Sequence, residues 1–166
     1  MPPRPKVQST AAVVGLTIVT LGIYSLVWYY RVNREMRDLG RALGDSELAE
    51  SRPGRSVWAM VAGSLFVIPT IVTMGNAVHR LGRCERLTGA DPGGVAAIVA
   101  CVIAASVANV GTLLVAGPAS GGLTLVAVVT WCTAIGVLQR RLNALWRREP
   151  LPWAALERPE DLLAAA

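Results

Sequence analysis

The sequence predicts an all-α fold: a polytopic helical membrane protein of about four transmembrane helices with amphipathic interfacial helices, in a single membrane domain over residues 1–166. Three observations predict it. The chain is 53% apolar and only 16% charged, against about 25% charged residues in an ordinary soluble domain. The charges are also confined: residues 7–30, 56–78 and 92–139 carry none, over 24, 23 and 48 positions. A helix needs roughly 20 apolar residues to cross a hydrocarbon core of about 30 Å, so the first two stretches fit one crossing each and the third fits two. Intrinsic disorder, a soluble enzyme fold and a disulfide-rich secreted module are excluded on the same grounds.

The first span is expected at residues 9–30. Residues 1–6, with Arg4 and Lys6, resemble the positive start of a signal peptide. The apolar core after them is longer than a signal core of about 7 to 15 residues, and no small-residue cleavage site ends it. Trp28, Tyr29, Tyr30 and Arg31 come instead, which is the pattern of an interfacial anchor. An amphipathic helix is expected next, at 31–43. Val32, Met36, Leu39 and Leu43 recur there at helical spacing, with Arg34, Glu35, Arg37, Asp38 and Arg41 between them. Gly44 is the expected stop, and residues 51–54, Ser-Arg-Pro-Gly, form a turn.

The second span is expected at 56–78 and contains Pro69. Proline lacks an N–H and clashes with the carbonyl four residues earlier, here that of Leu65, so a kink is expected. The longest uncharged stretch breaks at residues 117–122, Gly-Pro-Ala-Ser-Gly-Gly. That leaves spans at 94–116 and 123–139 joined by a short hairpin. The last span runs into an amphipathic extension at 140–148 with Leu142, Leu145 and Trp146 on one side, and then a tail at 150–166.

Several motifs stand out. Residues 17–22, Thr-Ile-Val-Thr-Leu-Gly, recur as residues 70–75, Thr-Ile-Val-Thr-Met-Gly, which suggests a repeated unit of span plus amphipathic helix. A weaker echo links Arg31-Val32-Asn33 to Arg141-Leu142-Asn143. Gly22 with Tyr24, Trp28, Tyr29 and Tyr30 after it is the most distinctive constellation. Tyr24 and Trp28 share a helix face, and Gly22 leaves room for a close neighbour; interfacial anchoring and tight packing account for these residues, a lipid or ligand platform being the sharper alternative. The third span carries stripes of small residues, Ala97, Cys101 and Ala105 leading to Asn109, and Ala100, Ala104 and Ala108 leading to Thr112. Asn109 is the one amide well inside that span and is expected to bond across the bundle.

Residues 16–40, LTIVTLGIYSLVWYYRVNREMRDLG, carry Thr20, Leu21, Gly22, Ile23, Tyr24, Trp28, Asn33 and Glu35. This run resembles the signature of the bacterial integral-membrane family known as domain of unknown function 4234. Gln139, Leu142, Asn143 and Trp146 are similar to the end of many members. The second copy departs from the pattern, because Asn76 and Ala77 replace the Ile-Tyr pair and no Trp comes after them. The resemblance implies a bacterial membrane protein and supplies no reaction. Fifteen Arg and one Lys among the basic residues, with abundant Ala, Gly and Pro, are in keeping with a GC-rich bacterial genome.

Function classes are narrowed mainly by absences. All eleven carboxylates, the only Lys and every Arg lie outside the expected spans. Coupled transport places ionisable groups inside the membrane, so it is disfavoured. The single histidine, His79, rules out a His-based metal cluster, and no G-x-S-x-G, H-E-x-x-H or phosphate-binding loop occurs. No cofactor, metal or catalytic residue is therefore expected. The net charge of +5 is spread over every segment flanking a span rather than gathered on one face, which argues against nucleic acid. The three cysteines, Cys84, Cys101 and Cys132, show no paired spacing and are expected to be free. The candidate motif and packing residues are thus Thr20, Gly22, Tyr24, Trp28, Asn33, Glu35, Pro69, Asn109, Asn143 and Trp146.

With four crossings, the N-terminus, residues 79–91 and the tail share one side and carry ten basic residues against six on the other. The positive-inside rule then places both termini in the cytoplasm of a bacterial inner membrane. A re-entrant Gly22 region is the alternative, and it would put every Arg-rich segment on the cytoplasmic side, provided its irregular backbone is buried. The leading expectation is a non-catalytic scaffold that meets membrane lipids, a membrane-protein partner or a second copy of itself. An uncoupled channel or small-solute permease subunit is the other reading, and a lipid-modifying enzyme has least support.

Overall fold

A computed structural model describes residues 7–50, 52, 54, 57–58, 67–89, 95–115 and 117–147, with residues 67–70 described through their backbone alone. Among the described residues every regular element is a helix. In chain order these are α1 (Thr10–Val19), α2 (Ile23–Ala42), α3 (Ser46–Ala49), α4 (Val67–Leu87), α5 (Val95–Leu114) and α6 (Pro118–Trp146).

The expected first span is two helices. Ser9 caps α1 by accepting from the Ala12 N–H. Ten residues later the helix closes in a Schellman motif, with the Gly22 N–H on the Thr17 carbonyl at 2.8 Å and the Leu21 N–H on the Ile18 carbonyl at 3.0 Å. Leu21 and Gly22 take φ of 51° and 91°, and no continuous helix passes through that backbone. The reversal is fixed by tertiary contacts. Gln8 meets Asn143, and a Cβ placed on Gly136 would lie 3.7 Å from Val14, so α1 runs antiparallel to α6. Trp28 bonds Gln139 and Glu35 bonds Trp146, each pair 111 positions apart, so α2 runs parallel to α6. α1 and α2 therefore form a helical hairpin. α1 is only about 15 Å long at 1.5 Å per residue, half a hydrocarbon core.

Elsewhere the elements stand closer to expectation. α2 absorbs the amphipathic helix expected at 31–43 and ends near Gly44, whose φ is 70°. α4 carries the second uncharged stretch on through His79 to Leu87. The kink expected at Pro69 depends on the turn before it, which lies outside the described residues. α5 matches the third span closely. α6 starts at Pro118 rather than at residue 123, because proline suits the first helical position and its missing N–H has no intrahelical role there. It then continues without a break through the extension to Trp146.

The core sits at one end. Trp28, Tyr29, Met36 and Leu39 of α2 pack with Met74, Val78 and Leu81 of α4, Ile98 and Val102 of α5, and Ile135, Leu138, Leu142 and Leu145 of α6. Beyond it the α5–α6 hairpin continues, the two helices so close that a Cβ on Gly111 would stand 3.1 Å from Leu123. Ile103, Val107, Leu113, Leu114, Leu125, Val126 and Val129 are exposed along this extension.

The two echoed hexapeptides differ in structure. Residues 17–22 break a helix, whereas residues 70–75 lie inside α4. The residues after each copy differ too. Thr20 Oγ1 accepts from the Tyr24 N–H and Ser25 Oγ donates to the Gly22 carbonyl, while the second copy continues as Asn76-Ala77 within a helix.

Candidate functional site

Most of the polar residues singled out in the sequence, Asn109 excepted, converge between α1, α2, α4 and α6, at the level of the core. Trp28, 2% exposed, donates its indole N–H to Gln139 Oε1 at 2.6 Å. Gln139 Nε2 donates to Asn143 Oδ1 at 2.9 Å, and Asn143 Nδ2 donates to the Gln8 carbonyl at 2.6 Å. This chain of bonds ties Gln8, at the start of α1, directly to the far end of α6 and ties α2 to α6 beside it. Asn33, fully buried, donates to the Tyr29 carbonyl and accepts from Arg80 at 2.7 Å. The Tyr29 hydroxyl donates to the Thr73 carbonyl at 2.8 Å. A buried amide left without a partner costs about 1–3 kcal/mol, so these bonds fix the register of α2 against α4 and α6.

Ion pairs hold the same end together. Glu85 is buried on the apolar stripe of α4 and takes the Arg141 guanidinium in a two-pronged contact, Nε to Oε1 at 2.9 Å and Nη2 to Oε2. Arg83 reaches Asp45 at 2.8 Å and also Glu47. His79 lies 3.9 Å from Glu47. Asp45 caps α3 through the Leu48 N–H, and that bond, with Arg83 beside it, holds its carboxyl below the usual range. On α2, Glu35 pairs with Arg31 at 3.1 Å and Asp38 with Arg34 at 3.9 Å, the four-residue spacing seen in the sequence. Burial pushes the Glu35 carboxyl up, against the opposing pull of Arg31 and of the Trp146 indole that bonds to it.

Thr20 and Gly22 form the break between α1 and α2, with Tyr24 half-buried just beyond it; Trp28, Asn33, Glu35, Asn143 and Trp146 all belong to the network. Trp28 and Tyr29 are core residues rather than interfacial anchors; of that trio only Tyr30 is exposed. Asn109 does not join. It is exposed on α5, and its amide makes no bond across the bundle among the described residues. Cys84 is buried rather than solvated, and burial drives its thiol up to about 12. Pro69 lies apart in α4, with only its backbone described.

Sequence reasoning passed over the Glu85–Arg141 pair. The signal was present: Glu85 comes after Met74, Val78 and Leu81 on one helical face, and Arg141 sits among Leu138, Leu142 and Leu145 on another. Opposite charges on two apolar stripes are expected to meet, because neither tolerates burial alone. Among the described residues no group of three or more His, Cys, Asp or Glu is placed to hold a metal.

A family model described as "Domain of unknown function (DUF4234)" matches residues 8–137, so the match takes in the α1–α2 break and most of the helical core and stops just short of Gln139. No curated protein and no solved structure matches the chain.

Proposed function

The chain belongs to that family, Domain of unknown function (DUF4234), and we propose that it is a non-catalytic integral membrane scaffold whose charged end meets lipids or a partner at the cytoplasmic surface. One observation carries the reading: Asp45, Glu47, His79, Arg83, Glu85 and Arg141 join three Arg-rich segments at one end of the molecule. Segments paired in this way share one side of a bilayer.

That shared side limits the crossings. Residues 48–78, between Glu47 and His79, number 31, fewer than the roughly 40 needed to cross and return. The first uncharged stretch turns back at Leu21–Gly22. Two crossings remain, α5 and α6, which are long and apolar enough for it and have only 28% and 17% of their apolar windows buried. A core helix of a soluble protein would be mostly buried. From Pro118 to Gln139 α6 measures about 33 Å, matching a hydrocarbon core of about 30 Å. The α1–α2 hairpin then dips into one leaflet, its tip level with residue 132 of α6, about 12 Å from the plane of Arg140. In sequence all 16 basic residues precede α5 or follow residue 139, and none falls between the two crossings, so the termini are cytoplasmic by the positive-inside rule.

The non-catalytic part rests on how the carboxylates are used. Glu35, Asp38, Asp45, Glu47 and Glu85 are each engaged by a basic side chain. Reconstituted in liposomes, the protein is expected to conduct no small solute, and a stoichiometric membrane partner is expected to co-purify equally with wild type and Asn109→Leu. Solute flux abolished by Asn109→Leu would overturn the scaffold reading in favour of a channel.

A further inference from the structure

Resting on this membrane placement, we propose that Arg140 and Arg147 of α6 form a docking surface for the headgroups of anionic phospholipids in the cytoplasmic leaflet. The exposed face of α6 reads Val126, Val129 and Thr133, then Arg140, Ala144 and Arg147, a single stripe that is apolar along the crossing and basic where it leaves the hydrocarbon. A lipid lying on that stripe would place its chains against the valines and its phosphate beside the guanidiniums.

Most other arginines at this end are engaged, Arg86 of α4 being exposed with no ion pair among the described residues. Arg31 holds Glu35, while Arg34, Arg37 and Arg41 share Asp38. Arg141, the neighbour of Arg140, is turned inward onto Glu85. Arg140 and Arg147 have no ion pair among the described residues, and no carboxylate lies on their stripe there. The register with α2 sets their depth: an offset of 111 positions puts Arg140 level with Tyr29 and Arg147 one residue beyond Glu35. Arg140 therefore stands in the same layer as Tyr30, an exposed aromatic of the kind found at membrane interfaces, with Arg147 about 9 Å further out than Tyr30 along the helix. The chemistry is specific in sign, because guanidinium forks bind phosphate oxygens in pairs, and a leaflet surface that is negatively charged attracts each such residue.

The test uses the full-length protein in mild detergent, titrated with phosphatidylglycerol or phosphatidylcholine, with bound lipid counted by native mass spectrometry. Wild type is expected to bind phosphatidylglycerol about thirtyfold more tightly than phosphatidylcholine, from two arginines of about 1 kcal/mol each. The double variant Arg140→Gln/Arg147→Gln is expected to lose that preference with its helical circular dichroism unchanged. Arg140→Lys/Arg147→Lys should keep most of it, and Arg34→Gln should leave it intact. Equal affinity of wild type for the two lipids would overturn the proposal, as would a preference that survives the double glutamine variant. Displacement of phosphatidylglycerol by millimolar inorganic phosphate would also overturn it, since the site would then take a soluble anion rather than a lipid. Failure of the membrane placement has a separate signature: wild type would not float with phosphatidylcholine vesicles at all.

Discussion

Leu21 adopts a left-handed conformation that costs a side chain with a Cβ about 1–2 kcal/mol, and it does so with its side chain 94% exposed. The Schellman bonds and the Thr20 hydroxyl, which donates to the Leu16 carbonyl and accepts from Tyr24, hold the backbone there. Gly22, with φ of 91° and open space around its Cα, is the position where only backbone freedom is at stake. Gly22→Ala is expected to lower stability by about 1–2 kcal/mol in detergent melts, whereas Leu21→Gly, which relieves the left-handed strain, should stay within about 1 kcal/mol of wild type. Glu35 makes a second prediction at this scale. Its folded-state carboxyl holds a proton more readily than the ordinary glutamate at 4.5. The folded state therefore binds more protons than the unfolded one just above that pH, and stability falls as pH rises through the window. Glu35→Gln keeps an acceptor for the Trp146 indole, so melting curves of that variant should be flat across the same window where wild type declines.

Among the elements, α4 and α6 are joined by one buried ion pair, and the consequence can be measured. Removing a single partner of such a pair typically costs about 3–5 kcal/mol, while replacing both with apolar residues is often near neutral. Arg141→Leu should therefore destabilise strongly, and Glu85→Leu/Arg141→Leu should recover most of the loss in chemical denaturation. Equal destabilisation of single and double variants would show that packing, not charge, holds the two helices. Element existence was legible in the sequence wherever apolar periodicity ran uninterrupted, as in α5, α6 and the amphipathic half of α2. The break at residues 20–22 is not legible as a helix end, because Thr, Leu and Gly all occur inside apolar helices and the near-identical hexapeptide at residues 70–75 continues as helix in α4. The copies differ in sequence at Leu21 against Met74 and in what comes next, Ile-Tyr-Ser after Gly22 against Asn-Ala-Val after Gly75. The polar network was partly legible: Trp28, Asn33, Glu35, Asn143 and Trp146 stood out as motif positions. Their convergence was hidden, since Gln139 and Asn143 reach Trp28 and Gln8 across 111 and 135 positions of chain.

For the whole molecule, reading the uncharged stretches as four crossings put residues 31–55 and 79–91 on opposite sides. Arg83 on Asp45 and Glu47 puts them together; under the proposed membrane placement that one juxtaposition leaves two crossings and makes the charge asymmetry complete. The sequence could not reveal this, because charge placement alone does not say which charged segments touch. The most direct test is cysteine accessibility in intact cells, on a background with Cys84, Cys101 and Cys132 replaced by alanine; the native Cys84 is too buried to report on topology. Single cysteines are placed at the exposed positions Ser46, Ala119 and Ala144 and treated with a membrane-impermeant thiol reagent. Two crossings with cytoplasmic termini predict that Ala119→Cys is labelled in intact cells, while Ser46→Cys and Ala144→Cys are labelled only after permeabilisation. Labelling of Ser46→Cys in intact cells, with Ala144→Cys protected, would place the two segments on opposite sides and contradict the arrangement.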